Sequence, residues 1–261
     1  MSHNATFRVA GPSEDETLAR ILYNSFRLNW DVNWWQQLSD SLAAVSPTRP
    51  SSPEQLTASQ KARLQFYRSF ISAVRLVGGI ITVAVLPAAD SATVSSLPIV
   101  ILCWLPPGVH LTTYAIIRSG LLLSILRLGH LMGTWNLLYF EHKISQLYDR
   151  TLRPLGYKSR HDGAFVQIIG KTPTPASKGV AVELLRWQIQ QHKQANRHVT
   201  GPLPVFLDTT GDYQQRAYER IGFRELGRQR LRIAINEEGL KCSTHSDFFQ
   251  RVLFLDARDV E

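Results

Sequence analysis

The chain has 261 residues, of which 44% are hydrophobic and 19% are charged, a composition that excludes a low-complexity chain and indicates one large or two small globular domains. The net charge is +8, and residues 111–261 carry most of it, with 21 Lys and Arg against 14 Asp and Glu. A polyanion or a small phosphorylated ligand would suit this charge, and a merely basic surface would explain it equally well. Because no basic run exceeds two adjacent residues, we expect no nucleic-acid partner.

The two cysteines, Cys103 and Cys242, have neither a pairing pattern nor metal-type spacing. We therefore expect free thiols, a reducing compartment and no metal site. The amino-terminal stretch lacks the apolar segment of a secretory signal, which agrees with a cytoplasmic location.

The first third of the chain is predicted to contain one strand and three helices. Residues 7–10 form the strand, and Ser13 is predicted to cap the helix that follows it. Residues 31–42 are predicted to form a second helix. A third begins after Pro53 and runs to about Val74, because its apolar residues recur at helical spacing.

A β-hairpin is predicted next, from two apolar runs at residues 78–87 and 97–108 that are bounded by glycine and proline. Helical sequence returns over about residues 110–152. The glycines at Gly129–Gly133 predict a break that divides this helical sequence into two pieces.

The most apolar stretch of the chain is residues 114–131. Arg118, Arg127 and His130 interrupt it, so it never reaches the roughly 18 apolar residues that a membrane span needs. We therefore expect a buried helix here and no membrane contact.

The last third alternates between strands and helices. Strands are predicted at residues 163–170, 204–209, 228–235 and 248–255, and helices at 179–195 and 212–221. A hairpin followed by this alternation predicts an α/β (α+β) protein with one mixed sheet flanked by helices.

The stretch QIIGKTPTPASKGVAVELL, residues 167–185, passes from a strand into a helix through two Thr-Pro steps. The first N–H groups of a helix have no acceptor within it, and the positive end of the helix dipole lies behind them. A diphosphate suits such a terminus best, and Gly179 and Ala181 would leave the backbone accessible to its oxygens. A plain strand-to-helix connection is the commoner explanation, and neither a P-loop nor a dinucleotide fingerprint is present.

A second motif, YERIGF at residues 218–223, ends the last predicted helix, with Gly222 as its capping glycine. Taken alone, Tyr218 would be a core tyrosine on an amphipathic helix.

Together the two motifs resemble the GNAT superfamily of N-acetyltransferases over about residues 163–227. The acyl-CoA-binding pattern of that family, Gln/Arg-x-x-Gly-x-Gly/Ala, corresponds here to residues 176–181. The second signature, a tyrosine four residues before a Gly-Phe pair, is matched by Tyr218, Gly222 and Phe223. The WLPPG segment at residues 104–108 is similar to a feature of fungal members.

The resemblance implies a GNAT fold, with a central, mixed, mostly antiparallel sheet, and acetyl-CoA as co-substrate. The backbone of a splayed strand end at Ile169, Gly170 and Lys171 would hold the acetyl carbonyl and the pantetheine arm. The pyrophosphate would bind main-chain N–H groups of the turn Ser177, Lys178, Gly179, Val180, Ala181 and Val182. Tyr218 would be the general acid for the departing thiolate, because a phenol is protonated at neutral pH.

Two positions depart from the family pattern. Ala176 stands where the family usually has Gln or Arg, and Gly211-Asp212 occupies the region of a common Asn. A catalytically inactive GNAT-fold module that binds acyl-CoA or regulates another protein is therefore an alternative.

The residues do not single out a general base. Glu141, His142, His161 and Asp162 are candidates, and His110 and His130 are weaker ones. Each residue type is more often a solvated surface group or a capping group than a base.

The sequence thus predicts an N-acetyltransferase that passes an acetyl group from acetyl-CoA to an amine by direct attack. Residues 30–75 and 110–160 would be helical insertions that shape the acceptor pocket within a single domain over residues 1–261. Because the positive charge of residues 111–261 would repel strong cations, we expect a small-molecule or peptide amine of low charge.

Overall fold

The computed structural model describes residues 5–47, 55–87 and 97–260. Seven strands lie in one sheet: β1 (Thr6–Val9), β2 (Ile80–Val85), β3 (Pro98–Leu105), β4 (Ala164–Lys171), β5 (Pro204–Thr209), β6 (Arg224–Ile235) and β7 (Lys241–Asp256). Their order across the sheet is β1-β2-β3-β4-β5-β7-β6. Among these strands, β4 and β5 are parallel and every other neighbouring pair is antiparallel. The predicted mixed, mostly antiparallel sheet is therefore confirmed.

Helices cover both faces of the sheet. They are α1 (Asp15–Ser25), α2 (Trp30–Trp35), α3 (Ala58–Leu76), α4 (Thr113–Arg118), α5 (Leu121–Leu152), α6 (Val180–Ala195) and α7 (Asp212–Glu219). Because side chains alternate along a strand, Phe206 of β5 packs into the core with α1, α3 and α5, whereas Val205 and Leu207 pack into the core with α6. The predicted hairpin is formed by β2 and β3, and its connecting stretch AADSATVSS lies outside the described residues.

Two predictions near the amino terminus are wrong. Ser13 does not cap α1; it lies in a short 3₁₀ turn, where the Glu14 carboxylate instead accepts the Gly11 amide at 2.9 Å. The helix predicted over residues 31–42 ends at Trp35, because the chain turns away through left-handed backbone at Gln37, with a φ of 57°.

The predicted break in the long helical region is confirmed. The close contact of α5 with α2 explains why glycines occur at this break. His130 has non-helical backbone angles (φ 52°, ψ −154°) inside α5. A Cβ atom at Gly129 or Gly133 would lie 2.0 or 1.8 Å from the carbonyl oxygen of Trp35. Glycine is therefore needed at both positions for the end of α2 to lie against α5.

The prediction of a buried helix over residues 114–131 is wrong for one side of α4 and α5. The inner side of α5 packs into the core through Leu128 and Leu147, among others. The opposite side, here named the outer face, exposes Tyr114, Ile117, Leu122, Leu123, Leu126, Leu131, Met132, Trp135, Leu138 and Tyr139. Among the described residues, the stretch Leu121–Leu155 is long and apolar enough to cross a membrane by length and composition, and 28% of its most apolar window is buried within the fold.

Candidate active site

The two parallel strands in the middle of the sheet separate soon after they begin. β4 pairs with β5 only through its first two residues, Ala164 and Phe165. The register against β3 shifts at Gln167, and such a bulge bends the strand. A wedge-shaped opening results between residues 166–171 of β4 and residues 207–209 of β5, and we name it the cleft.

The backbone of β4 offers one free amide to the cleft. The amide of Thr172 donates towards β3, whereas the amide of Lys171 points the other way and donates to the Ser25 hydroxyl of α1 at 3.1 Å. Since alternate residues of a strand direct their N–H groups to opposite edges, the amide of Ile169 faces the cleft. A Cβ atom at Gly170 would lie 2.8 Å from a leucine of α1, so this glycine serves the packing of α1 against β4.

The start of α6 presents three consecutive amides without acceptors. Gly179 precedes the helix with a φ of 86°, a conformation that glycine favours. No described group accepts the N–H of Gly179, Val180 or Ala181. The other amides of the predicted turn already donate to carbonyls of the turn itself; they belong to Ser177, Lys178 and Val182. The free amides lie at the positive end of the α6 dipole, which is the arrangement that binds an anion.

Ser177 shapes this turn from inside. Its side chain is fully buried, and its hydroxyl lies 2.6 Å from the carbonyl oxygen of Thr172 and 2.8 Å from that of Thr174. Ala176 and Lys178 are exposed on the outside of the same turn. The hydroxyl of Ser177 is therefore committed to the turn, and the exposed Lys178 places a positive charge beside it.

Tyr218 lies in the last turn of α7, on the α6 side of the sheet, and packs against Phe223 with 6.0 Å between the ring centroids. No described residue forms a hydrogen bond with its hydroxyl. Burial, together with the negative charge of Asp208, raises the pKa of Tyr218 above its usual value of 10.0. The phenol is therefore protonated at neutral pH and can donate a hydrogen bond or a proton.

Acidic side chains gather on the other side of the sheet, at the carboxyl end of β5. Asp208 accepts a hydrogen bond from the Tyr148 hydroxyl of α5 at 3.1 Å. Glu141, nearly two turns earlier on α5, lies 3.9 Å from the Arg160 guanidinium. That guanidinium lies over the ring of Phe165, 5.0 Å from its centroid, where β4 and β5 separate. The carboxylates therefore lie beside the mouth of the cleft.

Asp31 adds a third carboxylate from α2. The preceding residue, Trp30, directs its indole N–H at the carbonyl of Thr210, just beyond β5, at 3.5 Å. Burial, together with the negative charge of Asp208, raises the pKa of Asp31 to about 7. Burial also raises the pKa of Asp208, while Arg160 and the Tyr148 hydrogen bond oppose that shift. Desolvation raises the pKa of the partly exposed Glu141, and Arg160 again opposes it.

Asp31→Asn is expected to remove a pH dependence of stability. An acid whose pKa rises from 3.8 to about 7 on folding contributes stability that is complete below the lower value and is lost as the pH rises through the upper one. From pH 4 to pH 8, the free energy of unfolding of the wild type should fall by up to about 4 kcal/mol more than that of the variant. Urea unfolding at both pH values measures the difference, with the exposed Asp40→Asn as control. Equal pH dependence in wild type and Asp31→Asn would contradict the expectation.

The structure distinguishes the predicted general bases. Glu141 lies beside Arg160 at the cleft, whereas His142 and Asp162 have local hydrogen-bond partners. His142 forms a hydrogen bond with Gln146 on the exposed side of α5, at 3.0 Å. The Asp162 carboxylate accepts the amides of Lys158 and Ser159, which is a capping role.

His161 and His110 form a tilted pair of rings, with 4.8 Å between their ring centroids. The buried Nδ1 of His161 has no hydrogen-bond partner among the described residues. Burial and the charge of Arg160 lower the pKa of His161 to about 4, so the ring is neutral at physiological pH. His130 is exposed at the break in α5.

Sequence patterns did not indicate Asp31, Asp208 or Ser25. Asp208 follows four buried residues in PVFLDT, and its place at the carboxyl end of a strand was the one available signal. Asp31 lies in DVNWW, where it looks like an ordinary first-turn acidic residue of a helix.

Solved structures with a similar fold include N-acetyltransferases. Arylalkylamine N-acetyltransferase 2 from Aedes aegypti has a TM-score of 0.53 and 12% identity, with 98% of this chain and 100% of that chain covered. Agmatine N-acetyltransferase in its apo form has a TM-score of 0.50 and 14% identity, with 97% and 100% covered. The C-terminal condensation domain of Ebony, in complex with beta-alanyl-dopamine, has a TM-score of 0.50 and 9% identity, with 98% and 100% covered.

No protein-family model matches the sequence, and no curated protein sequence matches it. At the identities found, the likeness is one of fold. The chain has the GNAT fold that its two motifs predicted, and this fold is shared by N-acetyltransferases and by a condensation domain.

Proposed function

We propose that the chain is an N-acetyltransferase of the GNAT superfamily that transfers the acetyl group of acetyl-CoA to an amine by direct attack. The observation that carries the proposal is the cleft between β4 and β5, with the amide of Ile169 directed into it and three free amides at the start of α6. Tyr218 lies on the α6 side of this opening, and Asp208 lies on the α5 side. The similarity to fungal members stays a prediction.

The predicted cofactor residues fit acetyl-CoA by their chemistry. The free amides of Gly179, Val180 and Ala181 would bind the diphosphate, and Lys178 would add a charge beside it. Ile169 would donate its amide to the acetyl carbonyl. The remaining predicted residues would shape the site without donating to the cofactor. The amides of Lys171, Ser177 and Val182 already donate within the protein, and Gly170 allows α1 to pack against β4.

Acetyl-CoA supplies a thioester, and the residues around the cleft move the protons. The Asp208 carboxylate accepts the proton that the amine must lose, and its raised pKa brings it closer to the working pH of a base. A C–N bond forms as the C–S bond breaks. The Tyr218 hydroxyl donates its proton to the departing thiolate. The products are an amide and the CoA thiol, with no covalent intermediate on the enzyme.

The acceptor in this proposal is a small-molecule or peptide amine of low charge. Asp31, Glu141 and Asp208 favour one ammonium group at the mouth of the cleft, while the net positive charge of residues 111–261 disfavours a polycation or a nucleic acid. The cytoplasmic location is part of the proposal, and the unpaired thiols of Cys103 and Cys242 agree with a reducing compartment.

The direct test combines calorimetry with acetyl-CoA and release of CoA thiol in the presence of a panel of amines. Binding in the micromolar range together with amine-dependent thiol release would support the enzyme. Binding without thiol release for any amine would favour the alternative, a GNAT-fold module without catalysis. The exposed methyl group of Ala176, where the family pattern has a polar side chain, is the observation that favours this alternative. Absence of acetyl-CoA binding would contradict the enzyme and an acyl-CoA-binding module alike, and would leave the regulatory module.

Tyr218→Phe is expected to lower the rate of the chemical step roughly 100-fold, because it removes the proton donor for the thiolate. Acetyl-CoA affinity should stay unchanged, since the ring still packs against Phe223. Single-turnover thiol release measures the step, and Tyr213→Phe, at an exposed tyrosine of the same helix, is the matched control. A Tyr218→Phe enzyme with the full single-turnover rate would show that this hydroxyl is not the acid.

A further inference from the structure

The outer face of α4 and α5 is an unusually large exposed apolar surface. Its ten side chains are between 41% and 85% exposed, with Leu131 the most exposed and Trp135 at 68%. At roughly 100 Å² each they present on the order of 1,000 Å² of apolar surface, whereas monomeric soluble proteins rarely exceed a few hundred. No other described part of the chain covers this face.

Between Tyr114 and Tyr139, the charged side chains of α4 and α5 are all basic. The sequence contains no Asp or Glu between residues 97 and 140. Arg118, Arg127 and His130 are exposed on the same two helices. Leucine, tryptophan and tyrosine side chains bordered by basic residues are typical of helices that lie in the plane of an anionic membrane surface.

A span across the membrane does not agree with the packing of α5. Its inner side belongs to the main core through Leu128, Ile144 and Leu147, and the Ser124 hydroxyl lies 2.9 Å from that of Ser69 on α3. Lipid could not surround this helix without removing it from the core.

A symmetric pair of chains would not satisfy these charges either. In a two-fold dimer the outer face meets itself, so Arg118 and Arg127 would face a surface with the same sign and with no carboxylate from residues 97–140 to pair with them. Anionic headgroups supply the missing negative charge and accept the apolar side chains at the same time.

We infer that the outer face docks α4 and α5 on an anionic lipid surface, with the helices lying in the plane of the interface. This is contrary to the sequence-based expectation of no membrane contact, and it does not depend on the proposed acetyltransferase activity.

Co-sedimentation of the full chain with vesicles tests the inference. We expect the chain to bind phosphatidylcholine vesicles that contain phosphatidylglycerol. Binding should be weaker on vesicles of pure phosphatidylcholine and should decrease as the salt concentration rises. The double substitution Leu131→Glu and Trp135→Glu should lower the partition coefficient at least about tenfold. Arg127→Gln should lower it about fivefold. Val9→Glu, at an apolar residue 60% exposed on β1, is the matched control and should bind like the wild type.

Thermal unfolding tests whether each variant is folded. We expect all of them to be folded, because the substituted side chains are exposed. A wild-type chain that stays in the supernatant with phosphatidylglycerol vesicles would overturn the inference, and so would equal binding of the double variant. Sedimentation velocity without lipid gives a further outcome. A wild-type dimer that the double variant converts to a monomer would assign the outer face to a second copy of the chain and overturn docking on lipid.

Discussion

Gly179→Glu is expected to weaken acetyl-CoA binding at least about 100-fold, the loss of two to three charge-assisted hydrogen bonds. The three free amides of Gly179, Val180 and Ala181 lie at the positive end of α6. The proposed diphosphate would supply the hydrogen-bond acceptors that these amides lack within the described residues. A side chain at Gly179 would occupy the approach to these amides. Its carboxylate would also place a negative charge where the phosphates should bind.

Gly156→Glu is the matched control for the backbone strain that Gly179→Glu introduces. Gly156 and Gly179 both have a φ of 86°, so any side chain carries a similar left-handed strain at either position. A Cβ atom at Gly156 meets nothing within 4 Å, and the residue lies in a turn after α5, away from α6. Calorimetry should give weakened acetyl-CoA binding for Gly179→Glu alone. Equal affinities of the two variants would place the phosphates elsewhere.

Local sequence predicted the parts of the fold that depend on local periodicity. The strand at residues 204–209 has its predicted bounds, and α6 begins one residue after its predicted start. In β6, Leu231 and Ile235 are buried and Arg230 and Arg232 are exposed, as expected for residues that alternate between the two faces of a strand. These elements were predictable because each one carries its own apolar pattern and its own glycine or proline boundary.

The acidic part of the candidate site could not be predicted in the same way. Asp31, Glu141 and Asp208 come from α2, α5 and β5, and only the folded chain brings them together. Each has an ordinary local explanation, and no spacing in the sequence connects the three. The net positive charge of residues 111–261 indicated a site that repels cations, whereas the mouth of the cleft is acidic. A sum of charges over many residues does not describe the electrostatic field at one cleft.

The outer face was missed for a related physical reason. An apolar helix can lie in a core or against another apolar phase, and its composition alone does not distinguish the two. In α5 the inner side is buried and Leu131 on the other side is 85% exposed. The distinction depends on where α3 and the sheet lie, which local sequence does not determine.

Asp208→Asn is expected to lower kcat about 1,000-fold, because the amine would lose its proton acceptor while the cleft keeps its shape. Asparagine preserves an oxygen that can accept the Tyr148 hydrogen bond, so acetyl-CoA affinity should change little. Only the ionised carboxylate is a base, and burial raises its pKa. We therefore expect kcat/KM of the wild type to rise with pH through a value higher than that of an ordinary aspartate. The variant should lack that rise.

Glu141→Gln decides between the two carboxylates nearest the cleft. The Glu141 side chain is 48% exposed and lies 3.9 Å from Arg160, so its removal should cost less than about tenfold in kcat and should leave the pH profile in place. The full comparison is a pH–rate profile of wild type, Asp208→Asn and Glu141→Gln with one active amine. A profile that loses its rising limb in Glu141→Gln and keeps it in Asp208→Asn would make Glu141 the base and would give Asp208 a positioning role through Tyr148.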